Sequence, residues 1–291
     1  MNRRSLLPLA IGVGMILLPA ASPAPAAQER EAQVRAALEA GVDPVAATYR
    51  LACADCHGVR GDGRGLSARG FAQPATDFTK GTYKFRTTTT DAVPAPGDIE
   101  RSIREGMSGT EMVPFKNLLT EKRIAELAAY LRGFSEDLSD PDTKPEPDEI
   151  VAIPSERPFP RTAETVEEGK ELWDDNDCAD CHEADGRGTS EEQDDWGRPV
   201  FMVSFLEGYY KSGSHDSDLY RSIAAGMAGT TMPAFNEDMS EEEIWKVVDY
   251  IRSLGEEQSP GPLGVFRWPL VGGLARYFLG ARPSGFDYSN Y

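Results

Sequence analysis

The sequence has only four cysteines and three histidines in 291 residues. The few cysteines exclude a scaffold stapled by many disulfides. Positive charge is also scarce: 30 Lys and Arg stand against 48 Asp and Glu, for a net charge of −18. Nucleic acid is thereby excluded as a partner, because binding phosphate needs the opposite sign. Strand-like alternation is weak throughout, which points to a mainly α fold. Long apolar runs are missing beyond the first few dozen residues, so no later stretch is fit to cross a bilayer, which needs about 20 apolar residues.

The one apolar run lies at the start. Arg3 and Arg4 precede Leu6–Leu18, and small residues follow at Ala24–Ala27. Residues 1–27 therefore read as an export signal with a cleavage site near Ala27. The alternative is a retained membrane anchor, but the run is short and is broken by Pro8, Gly12 and Gly14.

The rest of the chain is written twice. Cys53 matches Cys178 and Pro74 matches Pro199, both 125 residues apart. Further on, "RSIREGMSGTEMVPF" (Arg101–Phe115) matches "RSIAAGMAGTTMPAF" (Arg221–Phe235), and Leu119–Arg132 matches Met239–Arg252, both 120 apart. Three separated blocks with one loop-sized slip define an internal duplication. The slip falls on "TTTTDAVPAPG", a loop by composition. The expected layout is a domain over 28–137, an acidic, Pro-rich and extended linker over 138–160, a domain over 161–256, and an aromatic tail over 257–291. The two domains differ in charge. Residues 28–137 carry 15 basic and 16 acidic groups, whereas 161–256 carry 8 and 24.

Each copy reads helix, motif, loop, helix, methionine loop, helix. Asp43 can start a helix that carries Tyr49 toward Cys53, and Thr162–Asp175 does the same with Trp173. Ser240 and Glu243 form a capping box, after which Ile244, Val247, Val248 and Ile251 line one helical face. Ile124, Leu127, Ala128 and Leu131 do so in the first copy.

All four cysteines lie in two copies of "CADCH", Cys53–His57 and Cys178–His182. C-x-x-C-H is the attachment signature of c-type heme. Its two thiols add across the porphyrin vinyl groups, and the adjacent imidazole faces the iron. Cys53 and Cys56 with His57, and Cys178 and Cys181 with His182, are therefore assigned to two covalent hemes c. A shared zinc site expects its cysteine pairs only tens of residues apart. A redox C-x-x-C expects a strand–helix context that the sequence lacks.

The opposite axial position needs a second ligand, and the only other histidine, His215, sits in a polar loop. Met112 and Met232 hold matching places in "GTEMVPF" and "GTTMPAF" and are the favoured ligands. Met107 and Met227 match each other too and remain the rivals; Met202 and Met239 have no counterparts and read as packing. Pro74 and Pro199 could present the carbonyls that hold the other imidazole nitrogens.

Each half thus resembles a class I c-type cytochrome, and the chain as a whole resembles periplasmic diheme cytochromes c. "CADCHGVRGDGRG" with "GTEMVPF", "CADCHEADGRG" with "GTTMPAF", and "DFTKGTYKFR" (Asp77–Arg86) carry the likeness. The first copy departs in having Val113 directly after Met112, where the family has proline. The resemblance implies a few helices wrapped on each heme, His/Met ligation, a periplasmic location and one-electron transfer.

With both axial sites filled, the expectation is a carrier rather than an enzyme, acting as a shuttle or as a subunit of a dehydrogenase or oxidase complex. The rival is a diheme peroxidase with one displaceable ligand. A redox partner with a basic surface would suit the acidic second domain, and the tail Pro260–Tyr291 could dock on a complex.

Overall fold

A computed structural model describes residues 41, 43–71, 73–208 and 210–257. The expected signal segment and C-terminal tail lie outside them. The described chain is mainly helical, and the helix-starting chemistry in the sequence operates as written. Asp43 accepts hydrogen bonds from the Val45 and Ala46 amides and opens α1 (Pro44–Ala52). The first C-A-D-C-H motif supplies α2 (Ala54–His57). Helix α3 (Pro96–Glu105) and α4 (Glu121–Arg132, opened by Thr120) complete the first half.

The second half repeats the order. Thr162 opens α5 (Ala163–Asp175), the second motif forms α6 (Cys178–His182), and α7 (Asp216–Ala224) and α8 (Glu241–Glu257) follow. The Ser240–Glu243 capping box forms reciprocally. The Ser240 amide donates to Glu243 Oε2 at 2.8 Å, and the Glu243 amide donates to Ser240 Oγ at 3.4 Å.

Two hydrophobic cores result, one per half. Tyr49, Ile99, Ile124 and Leu127 centre the first, and Trp173, Ile244, Trp245 and Val248 the second. The stripes read from the sequence on α4 and α8 are the buried faces of those helices. In the second core α5 crosses α8 at Gly169, where a Cβ would stand 1.9 Å from the Lys246 carbonyl oxygen. Only glycine permits helices to approach that closely. Among the described residues the strands are one short antiparallel hairpin of β1 (Glu191–Gln193) and β2 (Pro199–Phe201), a second-half feature.

The linker is extended, but it is bound along its length. Leu138, placed in it by composition, is buried in the first core. The Val151 amide donates to the Thr87 carbonyl at 2.8 Å, while the Val151 side chain enters the second core. Arg157 then pairs with Asp249 at 2.7 Å and Asp216 at 2.9 Å, its guanidinium over the Trp245 ring. Pro and acid gave this stretch its extension, while a few apolar and basic side chains fasten it.

The halves meet at repeated positions. Arg101 in α3 reaches Asp218 and the Ser212 carbonyl, while its repeat counterpart Arg221 binds the same two groups from within the second half. Asp98 and Asp218 are counterparts as well, each accepting from the backbone just before its own helix, at Ala95 and His215.

Candidate functional site: two crevices on one cavity

The motif helices are set by backbone hydrogen bonds that recur in both halves. The Gly63 amide donates to His57 O at 2.9 Å, and Gly188 donates to His182 O at 3.3 Å. Tyr49 Oη caps the following turn at Gly58 O at 2.6 Å; Tyr250 Oη caps Ala184 O at 3.0 Å from the opposite helix. One position departs from this likeness. Gly58 has φ 78° and ψ 151°, a region open essentially to glycine alone. Its counterpart Glu183 adopts φ 64° and ψ 155° and is held there by accepting a hydrogen bond from the Thr189 amide at 3.2 Å.

The methionine loops are also duplicates. The Met107 amide donates to Met112 O at 2.9 Å and the Met227 amide to Met232 O at 3.1 Å. Thr110 and Thr230 each donate Oγ1 to the first methionine of the loop and accept from the amide of the second. The tight ring requires Gly106 and Gly226, both at positive φ; a Cβ on Gly106 would lie 2.5 Å from Met112 O. Met107 and Met227 therefore close the loops through their backbones.

The motif side chains and the methionine loops line one cavity of about 930 Å³ between the halves. Its wall includes Cys53, Cys56, His57 and Met112 from the first half, and Cys178, Cys181, His182 and Met232 from the second. The structure thus brings together every expected heme-binding side chain. Met107, Met227, Met202 and Met239 line it too. His215 stands apart, exposed at the start of α7.

None of the four cysteines is disulfide-bonded. Burial pushes the Cys53 and Cys178 thiols up to about 11, and it also raises Cys56 and Cys181. Such groups are neutral thiols, unlike the depressed thiolates of redox or metal-binding pairs. Burial lowers both imidazoles, His182 to about 4, so both are neutral and free to offer a lone pair. Each imidazole lies against a phenylalanine, His57 on Phe78 at 4.5 Å and His182 on Phe205 at 5.0 Å.

The histidine-holding carbonyl is not where the sequence placed it. His57 Nδ1 donates to Thr76 O at 3.1 Å, not to Pro74. Gly63, at φ 70°, lets the chain after Pro74 fold over it, where a Cβ would meet Ala75 O at 2.6 Å. That approach carries the next carbonyl to the imidazole. Pro199 is no structural counterpart of Pro74 either. Phe78 and Phe205 occupy equivalent places, donating to Gly61 O at 2.7 Å and Gly186 O at 2.9 Å, and they are 127 residues apart. The hairpin takes up the extra two residues and absorbs Pro199 into β2. His182 Nδ1 is buried without a hydrogen-bond partner among the described residues.

Comparison with known proteins gives the class. Residues 166–255 match the family model described as "Cytochrome c", and residues 40–131 match "Cytochrome C oxidase, cbb3-type, subunit III". Both halves are cytochrome c domains. The chain belongs to the diheme c-type cytochromes.

Among solved structures it is similar to a chain of the Kuenenia stuttgartiensis reducing HAO-like protein complex Kustc0457/Kustc0458. The identity is 33% and the TM-score 0.65, covering 72% of this chain and 94% of that one. Among curated proteins it is similar to the Cbb3-type cytochrome c oxidase subunit FixP of Sinorhizobium medicae (strain WSM419), at 23% identity over 218 residues. The match covers 72% of this chain and 59% of the relative, so the chain spans less than two thirds of that relative's length.

Cytochrome c domains imply covalent heme c, and the donor set fits it. Each crevice offers two neutral thiols, a neutral imidazole and thioethers in an apolar wall.

Proposed function

We propose that the chain binds two hemes c and passes single electrons between redox partners, as an electron-transfer subunit of a larger complex. The observation that carries this reading is the cavity shared by both motifs and both methionine loops. In it Cys53 and Cys56, and Cys178 and Cys181, would hold the hemes through thioether bonds. His57 and Met112 serve one iron; His182 and Met232 serve the other. When bound, the hemes supply a reversible one-electron change at iron. The protein's part would be to offer an imidazole and a thioether to each iron, exclude water with the two cores, and fix the centres against each other. Both similar proteins are named as parts of complexes, one an oxidase subunit, which supports the subunit reading.

We also assign a periplasmic site of action, in keeping with the arginine-led apolar start of the sequence. Among the described residues no helix is long and apolar enough to cross a membrane. The partner of the second half is taken to carry a basic face, since 24 acidic groups over 161–256 stand against 8 basic ones.

The purified protein should show a c-type reduced spectrum and two covalent hemes per chain by alkaline pyridine assay and intact mass. One heme would overturn the duplicated-site reading. Steady peroxide turnover by the native protein would favour the peroxidase alternative instead.

A further inference from the structure

A third element repeats between the motif and the methionine loop. Phe78–Lys84 reads FTKGTYK and Phe205–Lys211 reads FLEGYYK. In both, a 3-10 turn ends at a left-handed glycine, Gly81 or Gly208, and a buried tyrosine follows, Tyr83 or Tyr210. Lys84 and Lys211 come next, and both line the shared cavity.

Their surroundings reach across the interface in both directions. Lys211 Nζ donates to Gln73 Oε1 of the first half at 2.5 Å and to its own half's Phe201 O at 3.5 Å. Lys84 shares the cavity wall with Asp194 and Arg198 of the second half, and both they and Lys211 are near enough to act on its charge. Asp194 is committed elsewhere: it pairs with Arg198 at 2.8 Å and accepts from the Trp196 and Arg198 amides. Neither lysine has a carboxylate within ion-pair distance among the described residues. Tyr83 Oη, beside Lys84 in the cavity wall, is buried with no hydrogen-bond partner among the described residues.

Desolvated ammonium groups are costly unless an anion joins them. Burial draws Lys84 down to about 8 and lowers Lys211 as well. In a chain with 48 acidic side chains, two lysines at repeated positions without an ion-pair partner call for an anion that the described residues do not supply. A porphyrin brings two carboxylates.

We propose that Lys84 and Lys211 form one cationic bridge that neutralises porphyrin carboxylates of both halves where the crevices meet, so that each lysine sets the potential of both centres. This rests on the two-heme reading above. The bridge stabilises the extra electron at either iron, and removing one positive charge favours the oxidised state of both.

The test is a spectroelectrochemical titration of the full chain with Lys84→Met, Lys211→Met, Lys84→Arg, and the exposed control Lys122→Met. Heme count and the axial-ligand spectrum are measured beside each. Lys84→Met should lower both midpoints, the nearer by about tenfold in the oxidised-to-reduced ratio, or about 59 mV for one electron. Lys84→Arg and Lys122→Met should leave both in place. Movement of one centre only, or equal movement with Lys122→Met, overturns the bridge. If Lys84→Met does not load heme, Lys211→Met decides on the same criterion. Two hemes with unmoved potentials sink the bridge alone; fewer than two in the native chain sink the proposed function and the bridge with it.

Discussion

Arg101 of the first half and Arg221 of the second both bind Asp218, so one carboxylate serves an interdomain contact and an internal one. Both are also hydrogen-bonded to the Ser212 carbonyl, Arg101 at 3.2 Å and Arg221 at 2.7 Å. Arg101→Ala removes the partner that crosses the interface and leaves the one that does not. The full 3–5 kcal/mol of a broken buried pair is not expected, because Asp218 keeps Arg221; roughly 1–3 kcal/mol is. Calorimetry should show a lower Tm and a split of one transition into two as the halves uncouple.

Met112→Ala and Met232→Ala should each open one iron to carbon monoxide and lower its midpoint. The fall should exceed tenfold in the oxidised-to-reduced ratio, since the thioether raises the potential. Met107→Leu and Met227→Leu should do neither, because those residues shape the loops through backbone amides that leucine retains. Carbon monoxide difference spectra of the four variants decide between the two pairs.

Gly58 and Glu183 make a natural pair for testing backbone strain. Gly58→Ala should destabilise the first half by about 1–3 kcal/mol, because φ 78° with ψ 151° is strained for a residue with a Cβ, which would also stand 2.3 Å from Asp62 Oδ1. Glu183→Gly relieves the same strain in the second half but removes the hydrogen bond from Thr189. Its net effect should be under about 1 kcal/mol. Urea midpoints followed by circular dichroism provide the measurement.

In the heme-free chain, where no iron holds the imidazole, acid should weaken the second half first. An imidazole that titrates near 6.5 in an unfolded chain is held by burial down to about 4 at His182. At pH 7 both states are neutral there. As pH falls through 6.5 the unfolded chain takes up a proton that the folded one refuses. Stability then drops by at most about 1.4 kcal/mol per unit until pH reaches about 4. His57 is lowered in the same sense by burial, but its bond to the Thr76 carbonyl works against that shift. Trp173, Trp196 and Trp245 all lie in the second half. Their fluorescence should report a falling urea midpoint between pH 6.5 and 4, ahead of the loss of total helix.

The duplication, the repeated motifs and the helix faces were legible because they rest on local spacing. Ser240 and Glu243 cap a helix wherever it sits, and Val247 and Val248 bury whichever way the domain is turned. The two prolines misled because spacing does not tell where a carbonyl points: the glycine turn at Gly63 and the hairpin before Phe205 decide that. The meeting of the halves was hidden for another reason. Arg101–Asp218 and Lys211–Gln73 are single contacts between residues more than a hundred positions apart, and no periodicity marks them. The Phe-x-x-Gly-x-Tyr-Lys repeat did mark the lysines, but an alignment fixed on Pro74 and Pro199 runs two residues out of step with it.

The inward-facing crevices leave the molecule with two outer poles, and these are not interchangeable. One belongs to a region of nearly balanced charge and the other to one with three acidic groups for every basic one. On the proposed electron-transfer reading, a donor and an acceptor of unlike surface charge would each be drawn to a different pole. In this way composition alone would give a preferred heading to a current that the paired pocket could carry either way.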